Sequence, residues 1–264
     1  MRKGTDPGAI GSATVGIFER RGALDRTTLW IPYCGAAPIP GDLWARWNLD
    51  PFVLAALMLT LMAGLRSGQV ERGRFLAAVA MLALLFVSPF CALTSALFSA
   101  RTAHHLVLTA FVAPLLAAAL PPRRMPGGLA LWTGVHAATF WLWHAPLAYD
   151  AALSNDAVYW TMQSSLGLTA FAMWRAVRTA PLTSGIAALF ATMVQMGLLG
   201  ALLTFAGAAL YAPHFFGPLA WGLTPLEDQQ LAGLIMWAPG AALYLAAALA
   251  LLARWFARER LAAA

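Results

Sequence analysis

The stretch SARTAHHLVLTAFVAPLLAAAL, residues 99–120, indicates the class of fold. It opens near two adjacent histidines, His104 and His105, and is long enough to cross a bilayer core, which takes about 20 helical residues. Ionisable groups inside a membrane are costly and are usually retained for a function. Imidazole is also the commonest protein ligand of metal ions. The stretch therefore predicts a transmembrane helix that carries a functional site at one end.

The composition of the whole chain agrees with a membrane protein. Of its 264 residues, 61% are hydrophobic and only 11% are charged, whereas soluble domains carry about 25% charged residues. The net charge of +6 comes from arginines that flank apolar segments, a pattern typical of membrane topology and not of nucleic-acid binding. We therefore predict an all-α, polytopic membrane bundle that contacts lipid and no nucleic acid.

About seven apolar segments alternate with polar loops. The predicted spans are 51–66, 75–98 (broken by Pro89), 103–120, 129–148, 157–177, 185–211 and 229–253. Residues 1–50 would then be an N-terminal extracytoplasmic segment, 51–255 the transmembrane bundle and 256–264 a cytoplasmic tail. Small residues let helices approach closely in lipid, so we expect close contacts at Gly197, Gly200, Gly207 and LAGL (231–234).

Loop charges orient the bundle. Arginines follow spans one, three, five and seven, whereas acidic residues lie in the opposite loops. Because positive loops stay in the cytoplasm, we expect the N-terminus outside and the C-terminus in the cytoplasm. Residues 1–50 are also basic, but long segments translocate largely regardless of charge. Residues 1–30 lack the uninterrupted apolar core of a cleavable signal peptide.

With that orientation, several potential metal ligands fall in the outer half of the bundle. His104 and His105 begin the third span, His144 ends the fourth and Asp228 begins the seventh. We predict that the three histidines converge on a metal ion, with Asp228 orienting a histidine or binding the metal itself. Spans three, four and seven would then be neighbours.

A second pair of potential ligands lies deeper. His136 lies eight residues before His144, and Met236 lies eight residues after Asp228. Eight residues are about 12 Å along a helix. They are predicted to form a holding or transfer position.

Each of these residues also has a purely structural explanation. A transmembrane histidine can form a hydrogen bond between helices, Asp228 can favour a helix dipole, and Met236 and Cys91 can fill apolar cores. Cys34 and Cys91 form no CxxC pair. Cys34, in the outer segment, can be oxidised, free or metal-binding.

Enzyme motifs are missing from the sequence. It contains no HExxH, GxSxG or phosphate-loop motif. It also lacks a pair of intramembrane carboxylates suited to acid–base chemistry. We therefore do not expect an enzyme.

Four stretches of the chain resemble one known family. They are YCGAAPIPGDLWARWNLDP (33–51), SALFSARTAHHLVLTAFVAPLL (95–116), FWLWHAPLAYDAAL (140–153) and WGLTPLEDQQLAGLIMWAPG (221–240). Together they resemble the CtaG-type, multi-spanning assembly proteins of caa3-type cytochrome c oxidase. The resemblance implies a protein of the bacterial inner membrane that helps a haem–copper oxidase mature. It further implies that the protein handles copper for the catalytic subunit. The imidazole, thioether and thiolate groups of the outer half suit Cu(I), and we expect binding and delivery on the periplasmic side, with periplasmic copper chaperones as further partners.

The chain departs from the family pattern at several positions. Many members have an HMxxH pair in span three, of which His105 matches the second histidine while Arg101 stands at the first. Where members often carry two histidines at the start of span five, this chain has Tyr159 and Gln163. His214, on the last outer loop, is a candidate replacement ligand.

Two other functions fit the same features. A membrane copper transporter needs polar residues that continue to the cytoplasmic side, where span six offers Thr192 and Gln195. A metal-free scaffold would use its histidines for hydrogen bonds between helices and hold oxidase subunits on its surface. The metal content of the purified protein and copper flux into proteoliposomes separate the three functions.

Overall fold

In the computed structural model, which describes residues 32–262, the backbone forms helices and loops and no β-strand in that range. The helices are α1 (Pro51–Arg66), α2 (Arg72–Phe86), α3 (Pro89–Ala96), α4 (Phe98–Ala119), α5 (Gly128–His144), α6 (Pro146–Ser154), α7 (Asp156–Val177), α8 (Leu182–Thr204) and α9 (Pro225–Ala262). Short 3-10 turns lie at Leu43–Ala45, Ala212–His214 and Gly217–Trp221. The predicted all-α class is confirmed for this part of the chain.

The helices lie where the apolar segments predicted them, but they differ in length. α4, α8 and α9 are long and apolar enough to cross a membrane, and α2 with α3 makes a fourth candidate span bent by 49°. α1 is apolar but has 16 residues, fewer than the roughly 20 that a bilayer core requires. Three or four spans are thus supported within residues 32–262, while seven spans and the orientation stay predictions.

Proline residues set many of the helix boundaries. α1, α3, α6 and α9 each begin with a proline, at the position where its missing N–H costs no hydrogen bond. Pro146 also ends α5 at His144 and not at residue 148 as predicted, because proline cannot continue the preceding helix. The bend between α2 and α3 has the same origin, since Ser88 caps a new helix that starts at Pro89.

The sixth predicted span ends earlier than expected. α8 stops at Thr204 and not at residue 211. The side chain of Gln229 accepts a hydrogen bond from the Leu210 N–H at 2.7 Å and donates one to the Ala208 carbonyl at 3.2 Å. These bonds satisfy the backbone of the loop without helical hydrogen bonds.

α4 lies at the centre of the bundle. It packs against α2, α3, α7 and α9, while α5 packs on α7 and α8. The expected contact between the third and seventh spans is therefore present as α4 against α9. α5 approaches α4 through the side chain of His144, whose ring centroid lies 5.9 Å from that of His105.

Two glycines allow α8 and α9 to approach closely. A Cβ atom on Gly200 would lie 2.7 Å from the carbonyl oxygen of Gly233, too close for any side chain. The predicted close contact is therefore confirmed at Gly200 and in LAGL. It is wrong at Gly207, which lies in the loop after α8 with no described neighbour within 4 Å of a Cβ. Gly197 would meet only an ordinary contact, at 3.8 Å from Trp237.

Candidate functional site

Three buried histidines form a row between α4 and α5. The ring centroids of His104 and His105 are 5.9 Å apart, and those of His105 and His144 are also 5.9 Å apart. None of the three side chains is more than 4% exposed. The structure thus brings together the three histidines that the sequence singled out; we call them the histidine row.

Nitrogen atoms of the histidine row have few partners. Among the described residues, neither nitrogen of His104 makes a hydrogen bond, and nor does Nδ1 of His105. Nε2 of His105 lies 3.4 Å from the amide nitrogen of Gln163. Nδ1 of His144 donates to the Phe140 carbonyl at 2.7 Å, which leaves Nε2 as the nitrogen with a free lone pair. Unpartnered buried polar atoms call for an explanation, and metal binding provides one.

The row does not form a complete metal cage. Within residues 32–262, no group of three or more His, Cys, Asp or Glu side chains is placed to hold one ion. What the row offers is pairs of imidazoles, either His104 with His105 or His105 with His144. The four-residue metal site expected from the sequence stays a prediction, and the structure brings three of its residues together.

Asp228 lies at the start of α4 and not beside a histidine. Its carboxylate accepts hydrogen bonds from the backbone N–H groups of Phe98 at 2.6 Å and Ser99 at 3.2 Å, and from the Ser99 hydroxyl. Leu97, the N-cap residue of α4, provides no side-chain cap, so Asp228 supplies one from α9. Asp228 thus caps α4, and no described hydrogen bond joins it to a histidine.

Gln229 extends this arrangement to the end of α5. By bonding the backbone of Ala208 and Leu210, it orders the loop that carries Tyr211. The Tyr211 hydroxyl donates to the carbonyl of His144 at 2.7 Å. The Asp228–Gln229 pair therefore positions the helix ends that carry the histidine row.

His136 and Met236 are buried but are held by different helices. Nδ1 of His136 lies 3.0 Å from the Thr169 hydroxyl on α7. Met236 packs on α8, where a Cβ on Gly200 would lie 3.1 Å from its own Cβ. The ring of Phe140 lies between those of His136 and His144. The structure thus does not join this deeper pair to the histidine row.

Comparison with known proteins connects this geometry to a family. Residues 130–258, from α5 into α9, match the family model of the cytochrome c oxidase caa3 assembly factor. The matched stretch makes up just under half of the 264-residue chain. The match includes His144 and Asp228, while His104 and His105 precede it. No curated protein and no solved structure gives a match.

The positions at which this chain departs from the pattern of that family lie beside the histidine row. Arg101 is fully buried, and its Nη1 lies 3.4 Å from the Tyr159 hydroxyl. Gln163, one turn after Tyr159, contacts His105. Sequence reasoning did not place Arg101 and Tyr159 in the site. The spacing of four residues in both pairs, Arg101 with His105 and Tyr159 with Gln163, is the signal that could have placed them on facing helix surfaces.

His214 lies apart from the row, in contact with Tyr149 and Ala96. Its Nε2 accepts a hydrogen bond from the Tyr149 hydroxyl at 2.7 Å, and its Nδ1 donates to the Ala96 carbonyl at 3.3 Å. Burial lowers the pKa of His214 to about 3, because the charged ring would lose its hydration. Since both nitrogens are used, His214 is not placed to replace a missing ligand.

Cys34 and Cys91 form a disulfide that ties the segment before α1 to α3. Of the three states that the sequence left open for Cys34, the structure shows the oxidised one. Disulfides persist mainly outside reducing compartments. This bond therefore agrees with an extracytoplasmic location of the segment.

Proposed function

We propose that this protein holds Cu(I) between His105 and His144 at the outer side of the membrane. From there it delivers the ion to the catalytic subunit of a haem–copper cytochrome c oxidase. The family match supports the assembly role, and the apolar helices support a location in the bacterial inner membrane. Copper is the cargo in this proposal and not a resident cofactor.

The observation that carries the proposal is the pairing of His105 with His144 across two helices. His144 presents the lone pair of Nε2, since its Nδ1 donates to Phe140. The ring centroid of His105 lies 5.9 Å away, and its Nδ1 has no partner. Nδ1 offers a lone pair once the ring proton is on Nε2, with the Gln163 side-chain amide turned so that its oxygen accepts from that nitrogen. Because a metal–imidazole bond is about 2 Å long, ring centroids at this separation are compatible with one ion bound by both rings. Imidazole is a suitable ligand for copper.

A site of two imidazoles suits a protein that must release its cargo. A closed cage of four ligands would hold the ion, whereas a two-ligand site leaves positions for an incoming group. His104 provides an additional imidazole one residue along α4, with both nitrogens free of described partners. Burial of the row keeps water away from the ion during the transfer.

The test is complementation of cells that lack the protein. His105→Ala and His144→Ala should leave the oxidase short of copper while the variants still insert into the membrane. His136→Ala is the matched control, because His136 is equally buried but lies outside the row. Normal oxidase copper content with both row variants would contradict the carrier function and favour the scaffold. Copper flux into proteoliposomes would favour the transporter instead.

A further inference from the structure

Hydrogen-bond donors reach both sulfur atoms of the Cys34–Cys91 disulfide. The hydroxyl of Tyr159 lies 3.6 Å from Sγ of Cys34. The hydroxyl of Thr94 lies 4.0 Å from the same sulfur but donates to the Cys91 carbonyl at 2.6 Å. The amide of Asn48 donates to Sγ of Cys91 at 3.9 Å. Neutral sulfur is a weak acceptor, whereas a thiolate is stabilised by nearby donors and cations. These donors therefore favour the reduced state more than the oxidised one.

The buried cation Arg101 contacts Tyr159, the donor to Cys34. Nη1 of Arg101 donates to the Tyr159 oxygen at 3.4 Å, so the hydroxyl proton of Tyr159 is free to point at the sulfur. Arg101 is 0% exposed, and among residues 32–262 no carboxylate pairs with it. A buried guanidinium without a counter-charge is costly. A thiolate at Cys34 would supply that negative charge through Tyr159.

The two sulfurs differ in their access to solvent. Cys34 is partly exposed, whereas Cys91 is 0% exposed. An external thiolate therefore reaches Cys34, and Cys91 is the leaving group. The side-chain amide of Asn48 is placed to stabilise that leaving thiolate.

We propose that Cys34 and Cys91 are a reversible redox pair whose reduced form is a second Cu(I) site, made of two thiolates. A dithiol reductant supplies two electrons and two protons. Its thiolate attacks Cys34, the disulfide bond breaks, and Cys91 leaves as a thiolate and takes up a proton. The second thiol of the reductant then attacks the reductant's own sulfur in the mixed disulfide. Cys34 is released as a thiolate and takes up a proton, and the reductant departs as a disulfide.

Copper binding then follows from the chemistry of the two thiols. Their Cα atoms are 5.4 Å apart, so both sulfurs stay within reach of one ion. Thiolates select Cu(I), and binding displaces the two thiol protons. Tyr159 and Arg101 connect the pair to the histidine row. Tyr159 contacts both Cys34 and Arg101, and Arg101 lies one turn before His104 and His105 on α4. The choice of copper rests on the proposed function, whereas the redox step does not.

The redox step is tested on the full-length protein in detergent. The protein is equilibrated in graded mixtures of oxidised and reduced dithiothreitol, and its thiols are counted by maleimide labelling. The wild-type pair should reduce and reoxidise with its helical circular dichroism unchanged. Tyr159→Phe should lower the equilibrium constant for reduction about tenfold, a midpoint about 30 mV more negative. Tyr33→Phe is the matched control, because Tyr33 stacks on Tyr159 with centroids 5.0 Å apart but donates to neither sulfur.

Two results would overturn the redox pair: a disulfide that resists reduction in the folded protein, or equal midpoints for the two phenylalanine variants. For copper, Cu(I) alone is added to reduced and oxidised protein. Reduced protein should bind one more Cu(I) than oxidised protein, and this extra ion should be lost in the Cys34→Ser/Cys91→Ser variant and kept in His105→Ala. No extra ion would overturn the thiolate site. Oxidised protein that binds no added Cu(I) would contradict the histidine site and leave the thiolate site unaffected.

Discussion

The carboxylate of Asp228 on α9 accepts a 2.6 Å hydrogen bond from the backbone N–H of Phe98 in the first turn of α4. The first N–H groups of a helix have no partner within the helix, and α4 lacks a side-chain cap of its own. One buried carboxylate therefore caps a distant helix and fixes the position of the residues that follow, among them His104 and His105.

Replacing Asp228 should destabilise the protein without removing a metal ligand. Asp228→Ala should cost about 0.5–2 kcal/mol, the usual range for loss of an N-cap, and Asp228→Asn should cost less because one acceptor oxygen remains. Thermal unfolding in detergent and faster amide exchange at Phe98 and Ser99 are the measurements. Glu227→Gln is the control, since it keeps the exposed capping box of α9. Wild-type melting of Asp228→Ala would show that the cap is unimportant.

The contact between α8 and α9 predicts a contrast between two glycines in one helix. Gly200→Ala should lower stability by about 1–3 kcal/mol, because its Cβ would lie 2.7 Å from the Gly233 carbonyl oxygen. Gly197→Ala should be tolerated, since its nearest described neighbour is Trp237 at 3.8 Å. The measurement is the melting temperature of each variant, compared with wild type in the same detergent. Equal values would contradict the close approach of the two backbones.

Local signals in the sequence were sufficient for helices whose ends depend on nearby residues. α1 was predicted at 51–66 and is observed at Pro51–Arg66. Asp50 caps it, proline opens it, and Ser67 and Gly68 follow its last turn. Capping and proline rules act over a few residues, so a single sequence suffices where all the determinants are adjacent.

Features that depend on distant partners were not predictable in the same way. Phe98 and Asp228 are 130 positions apart, so the sequence identified a candidate carboxylate but not the helix end that it caps. The end of α8 was misplaced because Gln229, in another helix, satisfies the loop backbone. Arg101 was missed as a member of the site because its surroundings come from α7.

The stability of the protein should depend on pH through His214. Its pKa falls from an ordinary value of 6.5 to about 3 in the folded state, so between these values the unfolded chain binds a proton that the folded chain does not. The contribution is present above pH 6.5 and is lost as the pH falls towards 3, by about 2 kcal/mol between pH 6.5 and 5. Lowering the pH from 7 to 5 should lower the melting temperature more for wild type than for His214→Gln. Parallel decreases would contradict this assignment.

The arginine distribution predicts the orientation of the bundle. Reporter fusions after Arg124 and after Arg260 should both report the cytoplasm, because positive loops are retained there. A fusion after Asp156 should report the periplasm and serves as the internal control. A periplasmic signal at either arginine site would contradict the orientation, and with it the outer location of the histidine row.

We propose that the histidine row holds copper, and the copper stoichiometry of the purified protein measures this. Oxidised wild-type protein loaded with Cu(I) in detergent should retain one ion per chain. His105→Ala should retain almost none, while His136→Ala should match wild type. Equal copper content in wild type and His105→Ala, with both proteins folded, would contradict the claim.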